Sequence, residues 1–395
     1  MKITNLKKFM IDEGINPINQ IVMECSSMFY YPIETQTEMK FNAIKKAFEF
    51  HYKHNDFYKT YCKESGNITP DDIKNFSDLH RIPVIPNSFF QEGKSEAMLS
   101  LPIEFKQLEF HTEGVQGRHG VAFRDSVSNE YAIIGLYLLF EELMDLRQMG
   151  SPVALFLTPS IADAPNLGML RALAVLNSIF TDQAYAMVNN QFDFVKASEF
   201  IKKWDGQVPI FIIGPPFIVN FFMEYLKANK INFKLDENAR IMTAGGWKRH
   251  TGQIISKDDL SQKICSTFGV KPSQYRDLFG LIELNQFSME CSAHKKHIPP
   301  FCEFFIKDLN DPTKVCEDGK EGFVTILDPT VLTYPGFIRT PDVGIVHHNY
   351  ACECGRTSSI INIIGREQKV EDINCSITLD KYLEGKSEKL RHSYN

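Results

Sequence analysis

The chain has 395 residues and a formal net charge of −6, from 43 basic and 49 acidic residues. This slightly acidic balance gives no electrostatic reason to expect a nucleic acid or an anionic membrane as a partner. No apolar run approaches the ~18 residues that a membrane-spanning helix needs, and the N-terminus lacks the apolar core of a secretory leader. Nine scattered cysteines favour a reducing compartment, the cytoplasm, over a disulfide framework.

Residues 1–100 are predicted to be mostly helical, as the N-terminal part of a larger domain. Aromatic and aliphatic side chains such as Phe41, Ile44 and Phe48 recur there at helical spacing. That spacing is typical of a helix whose apolar face packs on a core.

Strands and helices alternate from about residue 105 to residue 350. Continuous apolar runs followed by turn residues and then a helix predict buried strands over residues 152–157, 209–213 and 240–243. Apolar runs without alternation indicate sheets that helices cover on both faces, and hence an α/β fold. Three further strands, in a more β-rich region, are predicted over residues 322–327, 344–348 and 359–364.

Two glycine-rich segments are candidate nucleotide contacts. In the first, Thr112, Gly114 and Gly117 could present a hydroxyl and backbone N–H groups to a phosphate, although a surface turn is the commoner interpretation. The second segment directly follows a predicted strand, where open α/β sheets bind their ligands. It contains Gly245, Gly246, Trp247 and Lys248.

Two carboxylates are candidates for contacts with a nucleotide. Glu283 lies three residues after Gly280 and could hold Mg²⁺ against a triphosphate. Asp342 is predicted in a turn between strands, where it could accept hydrogen bonds from both hydroxyls of a ribose. The alternatives are a structural glutamate and an Asx-turn aspartate.

Taken in order, these segments resemble the adenylate-forming superfamily. More narrowly, the chain is similar, over roughly residues 40–380, to the acyl-protein synthetases (LuxE type) of bacterial fatty-acid reductase complexes. The strings Gly-Gly-Trp-Lys at 245–248 and Arg-Glu-Gln-Lys at 366–369 are the most specific. Other matching strings lie at 213–216, 276–277, 283–285, 296–300 and 342–346.

The resemblance implies a two-step reaction. A carboxylic acid, in this family a long-chain fatty acid, would first react with ATP in the presence of Mg²⁺ to give acyl-adenylate and pyrophosphate. The acyl group would then move to the thiol of Cys375, from which a reductase or acyl-carrier partner collects it. The resemblance assigns catalysis to Lys248, Glu283 and Cys375, with Glu283 as the magnesium ligand. It assigns nucleotide contacts to Thr112, Gly114, Gly117, Gly245, Gly246, Trp247, Asp277, Asp342 and Arg366.

The tail is the part that departs from most adenylate-forming enzymes. In those enzymes a Gly-Arg pair opens a lid domain of about a hundred residues, the size of a small domain. Here Gly365 and Arg366 are followed by a short tail that bears Cys375. The resemblance therefore implies an adenylate-forming α/β core over 101–365, with two helix-flanked sheets and a small β-barrel-like region. It implies a tail over 366–395 in place of the full lid.

A set of soft ligands is the candidate metal centre. It consists of Cys291, His297, Cys352 and Cys354, with His294 and Cys302 nearby in sequence. The Cys-x-Cys-Gly-Arg-Thr string at 352–357 is similar to a segment of phenylacetate-CoA ligases, some of which look zinc-bearing. A closed set of four such ligands would hold a structural Zn²⁺, and the alternative is buried core thiols with surface histidines.

Two other functions stay open at this stage. One is an acyl-CoA ligase of the phenylacetate type, against which the short tail counts. The other is a catalytically impaired homologue that binds a nucleotide or an acyl protein. Its support is Glu113 in the first glycine-rich segment, because a carboxylate there would repel a triphosphate unless a metal or Arg118 intervenes.

Overall fold

The computed structural model describes residues 2–90, 94–111, 120–165, 168–188, 191–245 and 255–366. Its helices are α1 Lys2–Asp12, α2 Asn16–Met23, α3 Ile33–His54, α4 Asp56–Glu64, α5 Ser126–Leu143, α6 Gly168–Val175, α7 Phe194–Trp204, α8 Pro216–Ala228 and α9 Lys257–Phe268. Its strands are β1 Ile85–Pro86, β2 Leu108–His111, β3 Val121–Arg124, β4 Val153–Phe156, β5 Gln183–Tyr185, β6 Met187–Val188, β7 Gln191–Phe192, β8 Ile210–Gly214, β9 Arg240–Ala244, β10 Tyr275–Gly280, β11 Phe287–Glu290, β12 Lys296–His297, β13 Glu303–Lys307, β14 Glu321–Leu327, β15 Phe337–Ala351 and β16 Thr357–Arg366.

The first hundred residues contain α1 to α4, which pack on the main core. Ala43, Ile44, Ala47 and Phe48 recur at helical spacing on the buried face of α3. The next helix, α4, begins where the side chain of Asn55 accepts a hydrogen bond from the backbone of Tyr58 and so caps a free N–H group.

The main sheet has strand order β13-β14-β15-β16-β12-β11-β10-β9-β8-β4-β5, with β1 added beside β15. From β10 to β5 the strands are parallel. Every residue of β4, β8 and β9 is buried, as the continuous apolar runs predict. The α/β class is confirmed. The strands expected in separate sheets join along this one path, because the parallel part continues through β10 and β11 into an antiparallel part.

The chain order of the parallel strands creates a switch point between β4 and β8. After β4 the chain passes through α6 to β5 on one side, and it then returns through α7 to β8 on the other side. Ligands of open α/β sheets bind outside the carboxyl ends of the strands near such a point. The second glycine-rich segment begins at this edge, directly after β9.

In the antiparallel half of the sheet, the prediction for Asp342 is wrong. Asp342 does not lie in a turn between strands, because β15 is continuous from Phe337 to Ala351. Pro341 cannot donate a backbone hydrogen bond to a regular ladder, yet the pairing of β15 with β14 shifts register between Phe323 and Thr325. A bulge of this kind tolerates a proline, since that position need not donate to the ladder.

The strands β2 and β3 form a separate antiparallel hairpin in which Leu108 lies opposite Arg124. Residues 112–119, which connect the two strands, lie outside the described residues. Among the helices that the structure describes, none has the length and apolar character needed to cross a bilayer.

Candidate functional site

The turn after β9 and the middle of β10 form the first part of the candidate site. In the parallel pairing Thr243 lies opposite Asp277, and the Thr243 hydroxyl donates to Asp277 Oδ1 at 2.6 Å. Gly245 follows β9 with φ +79°, a conformation that favours glycine. The glycine therefore turns the chain at the sheet edge beside a partly exposed carboxylate.

Lys296 completes this corner, and the sequence analysis did not assign it a role. Its ammonium group lies 2.5 Å from Asp277 Oδ2, and the side chain is only 11% exposed. Burial alone would lower the pKa of Lys296, but Asp277 and Glu290 outweigh it and raise the pKa. The one signal available was the position of Lys296 inside the string at 296–300.

Glu283 lies just beyond the end of β10 and is 5% exposed. The side-chain amide of Asn87 donates to Glu283 Oε1 at 2.8 Å, and the Tyr334 hydroxyl donates to the Glu283 carbonyl at 2.8 Å. Both the carboxylate and its backbone are thus held in one position. Burial raises the pKa of Glu283, although the Asn87 hydrogen bond and the charges of Arg366 and Arg124 oppose that effect.

Asp342 and Arg366 are neighbours across the last two strands. They are paired in the register of β15 and β16, with Arg366 Nε 3.4 Å from Asp342 Oδ1. Burial raises the pKa of Asp342, and the Arg366 charge opposes this only in part. The second carboxylate oxygen, Asp342 Oδ2, is buried and has no hydrogen-bond partner among the described residues. Such an unsatisfied buried acceptor fits a ligand that brings its own donors, such as a ribose.

The structure thus places five of the predicted residues in two groups. Gly245 and Asp277 share one sheet corner, while Arg366 carries its charge toward both Asp342 and Glu283. The other predicted contacts and the predicted nucleophile lie outside the described residues, so their roles stay predictions. They are Thr112, Gly114, Gly117, Gly246, Trp247, Lys248 and Cys375.

The four predicted metal ligands come together in a second site. The ligand atoms of Cys291, His297, Cys352 and Cys354 all lie within 4.8 Å of one another. The Sγ atoms of Cys291 and Cys352 are 3.7 Å apart, and Cys354 Sγ is 3.4 Å from His297 Nε2. A tetrahedral zinc with bonds of about 2.3 Å to sulfur and 2.0 Å to nitrogen places such atoms about 3.8 Å and 3.5 Å apart. The donor set therefore fits Zn²⁺ in both chemistry and spacing.

Local structure explains how ligands 61 positions apart meet. Cys291 directly follows β11, His297 ends β12, and Cys352 and Cys354 lie in the turn between β15 and β16. That turn closes through a hydrogen bond from Gly355 N to Cys352 O, with Gly355 at φ +85°. The sheet pairing β11-β12-β16-β15 brings both arms to one place.

The surroundings of the cluster orient its ligands. His297 Nδ1 lies 2.7 Å from Ser358 Oγ, which leaves Nε2 directed at the thiols. Burial would raise the pKa of the Cys354 thiol, but hydrogen bonds from His297 and Arg356 lower it to about 5. His294 and Cys302 do not join the set: His294 lies 3.8 Å from Glu290, and burial holds the Cys302 pKa well above its ordinary value.

Solved structures place this fold among the adenylate-forming ligases. The chain is similar to 2-hydroxyisobutyryl-CoA ligase captured in an open conformation with its acyl-adenylate and CoA, with a TM-score of 0.67 and 15% identity. That comparison covers 87% of this chain and 77% of the ligase. A second structure of that ligase, in its thioesterification state, gives a TM-score of 0.66 at 14% identity over 86% and 69% of the two chains. At this identity the likeness shows the fold, and it confirms the predicted adenylate-forming domain.

Two curated relatives match most of the chain in sequence. The long-chain-fatty-acid–luciferin-component ligase of Aliivibrio fischeri is 29% identical over 326 residues, which cover 80% of this chain and 81% of the relative. The ligase of the same name from Vibrio harveyi is 26% identical over 369 residues, which cover 91% and 92%. The sequence model described as "Acyl-protein synthetase, LuxE" matches residues 10–384. The chain therefore belongs to the LuxE acyl-protein synthetase family.

Proposed function

We propose that this protein activates a long-chain fatty acid with ATP and transfers the acyl group to the thiol of Cys375. The observation that carries the proposal is the family match over residues 10–384, which includes Cys375 and all the candidate nucleotide contacts. The names of the two relatives support a long-chain fatty acid as the substrate. We further propose that a reductase or an acyl-carrier partner takes the acyl group from Cys375.

The chemistry needs two displacements. In the first, a carboxylate oxygen of the acid attacks the α-phosphorus of ATP, and the bond to pyrophosphate breaks. In the second, the Cys375 thiolate attacks the carbonyl carbon of the acyl-adenylate, the bond to AMP breaks, and a thioester remains. The thiol proton is lost to solvent before the attack, because the thiolate is the nucleophile.

The described residues suggest how the nucleotide is held. Asp342 Oδ2, which lacks a partner, would accept from the ribose hydroxyls. The base would lie against the Gly245 turn beside Asp277, and Glu283 would supply an oxygen to Mg²⁺ at the phosphates. Magnesium would neutralise the charge that develops on the departing pyrophosphate. Lys248 would add a cation near the reacting carboxylate, as the family resemblance implies.

The test is the mass of the intact protein after incubation with Mg-ATP and tetradecanoic acid, followed by neutral hydroxylamine. We expect an acyl adduct that hydroxylamine removes and that maps to Cys375. Cys375→Ser should keep ATP–pyrophosphate exchange and lose the labile adduct, whereas Cys265→Ser, which changes a thiol far along the chain, should keep both. Self-acylation that persists in Cys375→Ser would contradict the assignment of the tail.

The same assay distinguishes the two alternatives. Pyrophosphate release that requires added CoA, without an adduct on the protein, would indicate an acyl-CoA ligase. A protein that binds ATP but neither exchanges pyrophosphate nor forms an adduct with any acid of a chain-length series would be a binding homologue.

We also propose that Cys291, His297, Cys352 and Cys354 hold a structural Zn²⁺. The support is the match of their spacing to a tetrahedron and the hydrogen bond that orients His297. All four positions are filled by protein ligands, so the ion would staple two strand pairs together and would leave no open position for substrate. A reducing compartment, the cytoplasm, would suit three thiol ligands and a thiol nucleophile.

Metal analysis of protein purified without added chelator tests this site. We expect about one zinc per chain, which is the stoichiometry of a closed four-ligand site. Cys354→Ser should lose the zinc, and Cys316→Ser should keep it because Cys316 lies outside the cluster. Replacement by Co²⁺ should give the visible absorption of a tetrahedral thiolate site. A protein without zinc after growth in zinc-supplemented medium would contradict the proposal.

A further inference from the structure

Arg124 is a charged residue in the core for which the reaction above gives no role. It ends β3 at the base of the hairpin that carries the first glycine-rich segment, and it is only 1% exposed. In the hairpin Arg124 lies opposite Leu108, the first residue of β2, which ends at His111. Burying a cation is costly unless its donors are satisfied, so its contacts need an explanation.

The guanidinium group connects the hairpin to the Glu283 segment. Nη2 donates to the Ile282 carbonyl at 2.9 Å, directly before Glu283 in the chain. Nη1 donates to the Tyr334 hydroxyl at 2.5 Å, and that hydroxyl in turn donates to the Glu283 carbonyl at 2.8 Å. The peptide groups on both sides of the Glu283 α-carbon are therefore fixed by one side chain.

The remaining donors make the connection rigid. Arg124 Nε donates to Asn285 Oδ1 at 2.7 Å, and Nη1 also donates to the Phe123 carbonyl at 2.8 Å. Asn285 is itself held, since its backbone N–H donates to Asp328 Oδ2 at 2.8 Å and its side-chain amide donates to the Thr330 carbonyl at 3.1 Å. The planar fork of an arginine suits several acceptors at fixed angles, which a lysine ammonium cannot reproduce.

These contacts fit a positioning role for Arg124 better than a direct contact with substrate. Four donor contacts occupy the guanidinium group, which has five N–H bonds. The group is flanked by the rings of Phe110 and Tyr334, each with its centre 5.6 Å away. Arg124 is thus buried in a position where it holds other groups in place.

We propose that Arg124 is a positioning residue that locks the base of the β2–β3 hairpin to the backbone of Ile282 and Glu283. The Glu283 carboxylate, which we assign to magnesium above, is then held at a fixed position relative to the end of β3. This inference rests on the proposed function of Glu283. It adds to that function the residue that fixes the backbone of Glu283.

The variants that test it are Arg124→Lys, which keeps the charge and loses the fork, and Tyr334→Phe, which removes only the bridging hydroxyl. Arg240→Lys is the matched control. Arg240 is also a buried arginine bonded to backbone carbonyls, at the amino end of β9 away from the ligand edge. ATP–pyrophosphate exchange is measured against Mg²⁺, ATP and acid concentration, and MgATP binding is measured separately by calorimetry.

A 1 Å misplacement at a reacting centre can cost about a hundredfold in rate, so we expect kcat to fall about 30- to 100-fold in Arg124→Lys. The half-saturating Mg²⁺ concentration should rise about fivefold, and the KM for the acid should change little because Arg124 holds the proposed magnesium ligand and not the acid. Tyr334→Phe should show the same pattern with about a third of the effect on log kcat. In that variant Arg124 still donates to the Ile282 carbonyl, and only the link through the tyrosine hydroxyl is lost. Arg240→Lys should lower the melting temperature without shifting the Mg²⁺ dependence.

The proposal is overturned if both variants lower the melting temperature as the control does while kcat and the Mg²⁺ dependence stay at parental values. Arg124 would then be a stabilising residue only. If the parental protein exchanges no pyrophosphate with any acid, the proposed function fails, and calorimetry decides the inference alone. MgATP affinity that is equal in parental protein, Arg124→Lys and Tyr334→Phe, or absent from all three, would overturn it as well.

Discussion

The cysteine–histidine cluster and the Glu283–Asp342 region contrast in how their polar groups are satisfied. The four cluster ligands face one another within 4.8 Å, and Ser358 fixes the ring of His297. By contrast, Glu283 and Asp342 are buried carboxylates whose pKa values are raised by burial, and Asp342 Oδ2 has no partner among the described residues. The first arrangement is closed on itself, whereas the second is incomplete without a ligand.

This difference distinguishes a region that stabilises the fold from a region that is arranged to bind a ligand. A site that is closed by its own residues can contribute to folding stability, because the ion and its ligands satisfy each other. A site with unmet acceptors costs stability in the free protein and recovers that cost when the ligand binds. We therefore expect substitutions in the two regions to have opposite effects on stability and activity.

Glu283→Gln gives the largest expected effect on activity. Replacing the proposed magnesium ligand by a neutral amide should lower kcat for ATP–pyrophosphate exchange about 100-fold, or about 3 kcal/mol of transition-state stabilisation. The melting temperature should not fall, because a carboxylate is costlier to bury than an amide of the same shape. Exchange kinetics with saturating acid and thermal unfolding of the same preparations provide the measurement.

A second buried glutamate supplies the control for that experiment. Glu303 is 1% exposed and lies 2.9 Å from Lys40 and 3.2 Å from His348, so its charge is paired. Glu303→Gln should therefore lower the melting temperature and leave exchange nearly unchanged. If Glu283→Gln loses stability and keeps kcat in the way expected for Glu303→Gln, the contrast between closed and incomplete sites is wrong for Glu283.

Disrupting the proposed zinc site should have the second-largest effect, this time on stability. Cys352→Ser takes one ligand from a closed set and leaves a half-satisfied buried cluster, so the free energy of unfolding should fall by about 3 kcal/mol. Denaturant unfolding measures this loss, and treating the parental protein with a strong chelator should reproduce it. The KM for ATP, measured well below the melting temperature, should stay within about twofold of the parental value, since a structural site has no open position. A large increase in that KM at full folding would show that the two regions are coupled.

Sequence patterns predicted the features that depend on residue type and on neighbouring residues in the chain. Continuous apolar runs identified β4, β8 and β9, and soft ligand types identified the four members of the cluster before any geometry was known. The strand around Asp342 was missed because Pro341 favours a turn, and only the bulge against β14 explains its place inside β15.

Contacts between distant residues could not be predicted in this way. Asn87 reaches Glu283 across 196 positions, and Arg124 reaches Tyr334 across 210. A single asparagine or arginine has no periodicity, and its partner depends on how the helical N-terminal part and the hairpin pack on the sheet. Lys296 was visible only as one letter in a family string, because its carboxylate partner lies on another strand.

The buried Glu303 and its partners Lys40 and His348 extend the comparison. In this cluster a proton on His348, and not a metal ion, balances the charge of the carboxylate. Burial alone would lower the pKa of His348, but its contacts with the carboxylates of Glu303 and Asp318 outweigh burial and raise the pKa from 6.5 to about 9. A raised folded-state pKa gives stability that is complete below the ordinary pKa and is lost as the pH rises through the folded value. The groups that face this pair are Lys40, His80 and Asp318.

The free energy of unfolding should therefore fall by about 1–2 kcal/mol as the pH rises from 6.5 to about 9. This figure allows for solvent screening of the partly exposed His348 ring. His348→Gln should remove this part of the pH dependence, so the difference between variant and parent should shrink as the pH approaches 9. Denaturant unfolding at a series of pH values measures it. A constant difference at every pH would show that His348 contributes packing and no charge.

Asp342→Asn should have the smallest effect and is the finest test of the incomplete site. If Asp342 Oδ2 accepts from the ribose, the parental enzyme should use 2′-deoxy-ATP or 3′-deoxy-ATP less well than ATP, by about tenfold in kcat/KM for a lost hydrogen bond to a charged group. An amide in place of the carboxylate should raise the KM for ATP by a similar factor and reduce the preference for ATP over the deoxynucleotides. Thr340→Val is the control, since it removes the hydroxyl that accepts from Asp342 N without changing the carboxylate. Discrimination that survives in Asp342→Asn would show that the buried oxygen is unpaired for a reason other than the ribose, because a true ribose contact is lost with the group that makes it.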